Sequence, residues 1–266
     1  MRPLAVIGHL SRDVVDGGEP RIGGAPWYAT RALRLLERRA CVVAKCGERD
    51  RRRYATKLAA LGLSATVVGS GETTSFSISY TGERTREMRV ETVGEPWRPR
   101  ELAGLRDAAW VQVAPLLRSD FPEPTLAAIA RGRRILLDGQ GLVRVPEVGP
   151  LRLDADFDPA ILRHVTILKL AEEEARVVAG GIEPEALAAL GVPEILLTLG
   201  DEGSIVLANG RVERIPSRPV HARDPTGAGD GFAAAYLAAR AEGHTPASAA
   251  RRATSLVAAL LSGHVR

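Results

Sequence analysis

Asp224-Pro225-Thr226-Gly227-Ala228-Gly229-Asp230-Gly231-Phe232 is the stretch on which the reading of this chain turns. Two glycines flank an alanine, a carboxylate follows, and an apolar helical run (Phe232, Ala233, Tyr236, Leu237) begins there. A helix start carries unpaired N–H groups and the positive end of a dipole, so it attracts anions. Small residues at 227 to 229 let backbone N–H groups close around a phosphate or a developing charge. Asp230 then falls in the first helical turn, beside that cradle. A carboxylate next to a phosphate site is an awkward neighbour unless it handles a proton. Phosphoryl transfer to a hydroxyl needs both parts, donors for the transferring group and a base for the nucleophile. The chain has no Gly-x4-Gly-Lys-Ser/Thr motif, so the P-loop route to that chemistry is closed.

Composition sets the frame around this loop. At 266 residues, with 45% hydrophobic and 26% charged residues, the chain is long enough for one large core. No run approaches the roughly 20 apolar residues of a membrane span, and Leu4–Ile7 reads as a first strand rather than a leader. Cys41 and Cys46 match no zinc spacing and read as reduced thiols, which fits the cytoplasm. The formal charge of +4 comes almost wholly from scattered arginines, Lys45, Lys57 and Lys169 being the only lysines. Aromatic residues for base stacking are sparse, so nucleic acid is not an expected partner.

Short β-branched runs alternate with Ala/Leu/Arg helical patterns, which predicts a mostly parallel α/β sheet covered on both faces. Strands are expected at 4–7, 41–44, 110–113, 135–137, 165–168, 195–199 and 204–207, and helices at about 26–38, 50–61, 124–131, 171–179 and 184–190. Thr245-Pro246 offers an N-cap with proline at N1 for the last helix. One region breaks the rhythm. Ser75–Tyr80 alternates polar and apolar, Thr81-Gly82-Glu83 turns the chain, and Glu87–Glu91 alternates again. Such a half-exposed hairpin can be a lid over a cleft, a contact between two copies, or an edge of the main sheet.

Further residues stand in order along the chain: Gly8 with Asp13, Gly23-Gly24 before a helix, Gly47 and Asp50, Gly62, Thr74 at the hairpin, and Thr198-Leu199-Gly200 with Gly203. Together with the loop at 224–232 they resemble the PfkB carbohydrate kinases of the ribokinase-like family, over nearly the whole chain. The resemblance implies one ribokinase-like three-layer α/β/α sandwich over 1–266. A β-hairpin lid is implied at about 72–98, with 11–22 as a second lid segment. It also implies ATP-dependent transfer to a hydroxyl of a small sugar or polyol, with Mg2+, and a homodimer through the lid as one arrangement. Asp230 would be the general base, and the N–H groups of Gly227, Ala228 and Gly229 would hold the phosphoryl group. Thr198, Gly200, Gly203, Thr226 and Lys169 would face the nucleotide. Asp13, Gly23, Gly24, Tyr28, Thr74 and Gln140 would face the acceptor. Glu174, through water, and Glu173 would support the metal.

Two departures qualify that pattern. Tyr28 stands where many members have an asparagine that touches the substrate, and a ring cannot copy an amide's donor and acceptor. Ala171 stands where the Asn of the Asn-x-x-Glu metal motif belongs. The segments Gly8–Asp13, Gly23–Tyr28 and Leu137-Asp138-Gly139-Gln140-Gly141 with Arg144 look like the branch that includes microbial myo-inositol kinases. That tilts the expected acceptor towards a cyclitol. A nucleoside kinase of the same fold and a non-catalytic binding relative are the alternatives.

Overall fold

The computed structural model describes residues 4–37, 39–81, 85–217 and 226–262, so Asp224, Pro225 and the hairpin turn at 82–84 lie outside the described residues. The first half runs β1 (Leu4–His9), β2 (Ser11–Val15), β3 (Arg21–Gly23), α1 (Ala25–Leu35), β4 (Ala40–Cys46), α2 (Glu48–Ala59), β5 (Ser64–Gly69), β6 (Ser75–Thr81), β7 (Thr85–Thr92) and β8 (Trp110–Ala114). Then come α3 (Glu123–Ala130), β9 (Arg134–Asp138), α4 (Gln140–Val143), β10 (Gly149–Pro150), β11 (Ile167–Ala171), α5 (Glu172–Ala179) and α6 (Pro184–Ala188). The chain closes with β12 (Glu194–Thr198), β13 (Ser204–Ala208), β14 (Arg211–Ile215), α7 (Ala228–Ala241) and α8 (Pro246–Leu261).

Nine strands form the main sheet in the order β14-β13-β12-β11-β9-β8-β1-β4-β5. It is parallel from β5 to β12, and β13 and β14 add antiparallel at one edge. Its central strands are buried on both faces, which is why they read as continuous apolar runs. Ala5, Ile7, Val113 and Leu137 point to the side of α3, α5 and α6, while Leu4, Val6, Trp110 and Leu136 point to α1, α7 and α8. The result is a three-layer α/β/α sandwich, the architecture that the resemblance implied. Among the described residues no helix is long and apolar enough to cross a membrane.

Local signals place the helices that matter. Thr245 caps α8, its side chain accepting from Ser248 N, with Pro246 at the first position. Gly24 stands at the N-cap of α1 with φ 91°, and a Cβ there would overlap the His9 carbonyl oxygen. The edge strands β5 and β14 lie outside the expected set, because β5 has no buried residue and β14 is mostly charged and exposed. The expected strand at 165–168 lies instead at 167–171, which puts Lys169 on a core strand.

The hairpin does not join the main sheet. β6 and β7 belong to a second sheet of order β10-β7-β6-β2-β3, in which β2 pairs parallel with β6. The strands β3, β2, β6 and β7 therefore form one surface above the carboxyl ends of β1 and β8. Phe76, Ile78 and Val90 of its inner face pack on Leu116 and Leu117.

Candidate active site

In open α/β sheets ligands bind beyond the carboxyl ends of the strands, and there the two sheets enclose a cavity of about 390 Å3. Asp13, Gly24, Tyr28, Gln140, Lys169, Glu173, Glu174, Thr226, Gly227, Gly229 and Asp230 all line it. These residues come from opposite ends of the chain and meet only through the strand order.

Asp230 sits in the first turn of α7, whose N-cap is Gly227 in the left-handed region at φ 80°. A Cβ on Gly227 would overlap the Tyr28 ring, so only glycine lets the ring lie against the helix start. Burial, reinforced by the charge of Asp138, raises the Asp230 carboxyl to about 7, against the pull of Lys169 and Arg144. A group poised there can take a proton at neutral pH and hold it.

Lys169 supplies the positive charge of the site. Its Nζ lies 3.0 Å from Asp138 Oδ2, and both side chains are buried. Burial alone would lower the ammonium, but Asp138 and Glu174 outweigh it and raise Lys169 above the usual lysine range. A Cβ built on Gly229 would stand 3.5 Å from Nζ, so the ammonium faces the 227–229 cradle. Asp138 Oδ1 also accepts from the backbone and side-chain nitrogens of Gln140, both at 3.2 Å, which orients that amide at the cavity.

Glu174 is buried, and its Oε2 accepts the Ala171 N–H at 2.8 Å, taking up one of the free donors at the start of α5. Burial raises its carboxyl, against the attraction of Lys169. Among the described residues no group of three or more His, Cys, Asp or Glu is disposed to hold a metal. A buried carboxylate beside an exposed cavity wall suits a cation held through water and brought in with a phosphate, the role Glu174 and Glu173 can fill.

The structure separates the remaining sequence candidates. Gly23 sits behind Asp13 and Ser11, leaving room for both side chains. Ala228 lines an adjoining groove of about 260 Å3 shared with Tyr28 and Thr226. Thr74 is buried, its Oγ1 accepting from Gly94 N at 3.0 Å, so it fixes the hairpin base rather than lining the cavity. Thr198 ends β12 beside Ala171 and donates to Leu170 O at 3.2 Å. Gly200 and Gly203 shape the turn after it, with φ of 59° and 102°.

Several cavity residues had carried no expected role. Ser11 Oγ is buried and has no hydrogen-bond partner among the described residues, and it opens on the cavity beside Asp13. Phe76, Ile78 and Met88 supply an apolar wall from the second sheet, and Pro115 and Leu116 one from the main sheet. Alternation in the hairpin signalled that apolar face, whereas Ser11 lies in the segment Gly8–Asp13 but nothing in the sequence gave it a role of its own.

Comparison with known proteins bears on the family and the fold. A solved pyrophosphate-dependent kinase in the ribokinase family, complexed with a pyrophosphate analogue and myo-inositol, superposes with a TM-score of 0.85 at 26% identity, covering 97% of this chain and 94% of that one. The fructokinase of Klebsiella pneumoniae is 31% identical over 198 residues, 68% of this chain but only 62% of that protein's length. The cytidine kinase of Thermococcus kodakarensis is 26% identical over 91% of this chain and 90% of its own. The family model for pfkB family carbohydrate kinases matches residues 15–264, and with the fold and the loop around Asp230 it shows that the chain belongs to that family.

Proposed function

We propose that this chain transfers a phosphoryl group from ATP to a hydroxyl of a small cyclic polyol or sugar, with Asp230 as general base. The observation that carries this reading is the pairing, in one cavity, of a carboxyl raised to about 7 with a glycine-lined helix start faced by a buried lysine. The acceptor lies against Ser11, Asp13, Gln140 and Arg144, which can hydrogen-bond several hydroxyls, while Phe76, Ile78 and Met88 cover the C–H face of its ring. Asp230 takes the proton of the attacking hydroxyl. The N–H groups of Gly227, Ala228 and Gly229, with the Lys169 ammonium, stabilise the charge that builds on the transferring phosphoryl. Thr198, Gly200, Gly203 and Thr226 face the rest of the donor. Magnesium, when bound with the donor, neutralises phosphate charge, and Glu174 and Glu173 would hold its water shell. The second sheet acts as a lid, and its outer face offers a contact for a homodimer. Free Cys41 and Cys46 accord with a cytoplasmic setting.

A second reading concerns the donor. The solved relative named above is pyrophosphate-dependent, which favours pyrophosphate in place of ATP. A matrix of ATP and pyrophosphate against inositols, hexoses, pentoses and nucleosides tests both points. Transfer to inositols or hexoses supports the acceptor assignment, and preferential transfer to cytidine or adenosine replaces it with the nucleoside kinase reading. Nucleotide binding without transfer to any acceptor would leave only a binding protein.

A further inference from the structure

Behind the cavity wall lies a buried cluster that the mechanism above does not use. His9 ends β1 and is 1% exposed, on the face where the preceding residues Ala5 and Ile7 are apolar. Its Nε2 lies 2.9 Å from the Glu95 carbonyl oxygen. A carbonyl only accepts, so Nε2 carries the hydrogen. Nδ1 lies 3.1 Å from Asp120 Oδ2 without the alignment of a hydrogen bond, so the two attract as an ion pair when Nδ1 also carries a hydrogen. That same oxygen accepts the N–H groups of Leu116 at 2.7 Å and Leu117 at 3.2 Å, and Leu116 is part of the acceptor wall.

The other side of the imidazole holds the base of the lid. Glu95 follows β7 on the chain's return to the core, and its neighbours are held as well. Lys45, opposite His9 on β4, donates to Pro96 O at 2.9 Å, and Trp97 N donates to Asp120 O at 2.8 Å. Trp97 stacks on Phe121 with an interplanar angle of 10°, and the His9 ring meets both edge-on.

We infer that His9 is a positioning residue that couples the lid base to the acceptor wall. One nitrogen holds the backbone through which the lid is anchored, and the other, when it too carries a hydrogen, forms an ion pair with the carboxylate that fixes the Leu116 and Leu117 amides. Interiors are close-packed and transmit small displacements, so a shift of the lid base reaches the wall against which the acceptor rests. The inference rests on the phosphotransferase reading for its kinetic consequence, but not for its mechanical one.

Two conservative variants of the full chain separate the two contacts. His9→Asn places an amide nitrogen near the position of Nδ1, keeping Asp120 and losing the Glu95 carbonyl. His9→Gln places it near Nε2, keeping Glu95 and losing Asp120. Amide hydrogen exchange is read at Leu116 and Leu117 for the wall and at Gly94, which donates to Thr74 Oγ1, for the lid base. Coupling predicts that each variant speeds exchange at both places by roughly tenfold or more. If each loosens only the segment whose bond it lost, the inference is overturned. In turnover, coupling predicts an acceptor KM raised roughly tenfold in both variants, with donor KM changed by less than about twofold. A fall in Tm with both KM values unchanged would show a structural role only, which also overturns it. Should either variant fail to fold, Asp120→Asn keeps an oxygen for the two amides while removing the charge that faces Nδ1, and the same readouts apply. If the unmodified protein phosphorylates nothing, the function falls on that result, and the exchange measurement still decides the coupling.

Discussion

Asp230→Asn should make this protein slower and more stable at once. The general base it removes contributes about 10²–10⁴-fold, or about 3–5 kcal/mol of transition-state stabilisation at about 1.4 kcal/mol per tenfold. Its effect on stability has the opposite sign, and the direction follows from the raised carboxyl. As pH rises past 3.8 the unfolded carboxyl ionises, while the folded one keeps its proton until about 7. Stability is therefore lost across that window and is level above it. At about 1.4 kcal/mol for each pH step, the folded state loses about 4 kcal/mol by neutrality. That figure is an upper bound, because Asp230 is partly exposed to the cavity. The amide never ionises and escapes the loss. Urea unfolding at pH 5, 6, 7 and 8 should show the variant gaining on the parent as pH rises towards 7. In the parent, kcat/KM should climb about tenfold per pH step below about 7 and level off above. A variant that keeps turnover within about tenfold of the parent, or that is less stable at pH 8, refutes the account of Asp230.

Four other substitutions test the rest of the site. Gly227→Ala brings a left-handed backbone strain of about 1–2 kcal/mol and a clash with Tyr28. The double variant with Tyr28→Ala should recover the clash but not the strain, as a double-mutant cycle in denaturant will show. Lys169→Met leaves Asp138 and Glu174 buried without their cation. It should cost about 3–5 kcal/mol at neutral pH and less in acid, where the raised Glu174 carboxyl takes a proton, measured by urea unfolding at two pH values. Ser11→Ala removes a hydroxyl with no hydrogen-bond partner among the described residues. Stability should hold or rise, while acceptor KM rises roughly tenfold, about the worth of one hydrogen bond. Glu174→Gln keeps an oxygen for the Ala171 N–H, so the fold should persist, and the magnesium needed for half-maximal rate should rise roughly tenfold. An unchanged magnesium requirement would confine Glu174 to the start of α5.

The fold could be read from the sequence wherever burial is two-sided. β1, β4, β8 and β9 appear as short apolar runs because both faces of each strand meet a layer of helices. β5 and β14 escaped because an edge strand with one exposed face has no such run. The offset at β11 has a related cause. Val165 and Ile167 look like a strand start, yet the paired segment runs on through Lys169, a charge that a sequence pattern assigns to a strand end. Its burial becomes intelligible only once Asp138, 31 residues earlier in the chain, is seen beside it.

The loop proposed to hold the phosphoryl group could be read in the sequence for a different reason. Gly227, Ala228, Gly229 and Asp230 are consecutive, so the helix start, the cradle and the carboxylate come from one local turn, and distant residues tune it rather than assemble it. The acceptor end has no such local grammar. Ser11 and Asp13 come from β2, Phe76 and Ile78 from β6, Met88 from β7, and Gln140 from α4, and each is an ordinary residue for its element. Only the parallel pairing of β2 with β6 brings the first four onto one surface. A chain can therefore keep its phosphate chemistry fixed in one contiguous turn while the wall that reads the acceptor changes one scattered residue at a time. The same division explains why a role for Asp230 could be proposed before the fold was known, whereas those proposed for Ser11 and His9 rest only on the contacts they make in three dimensions.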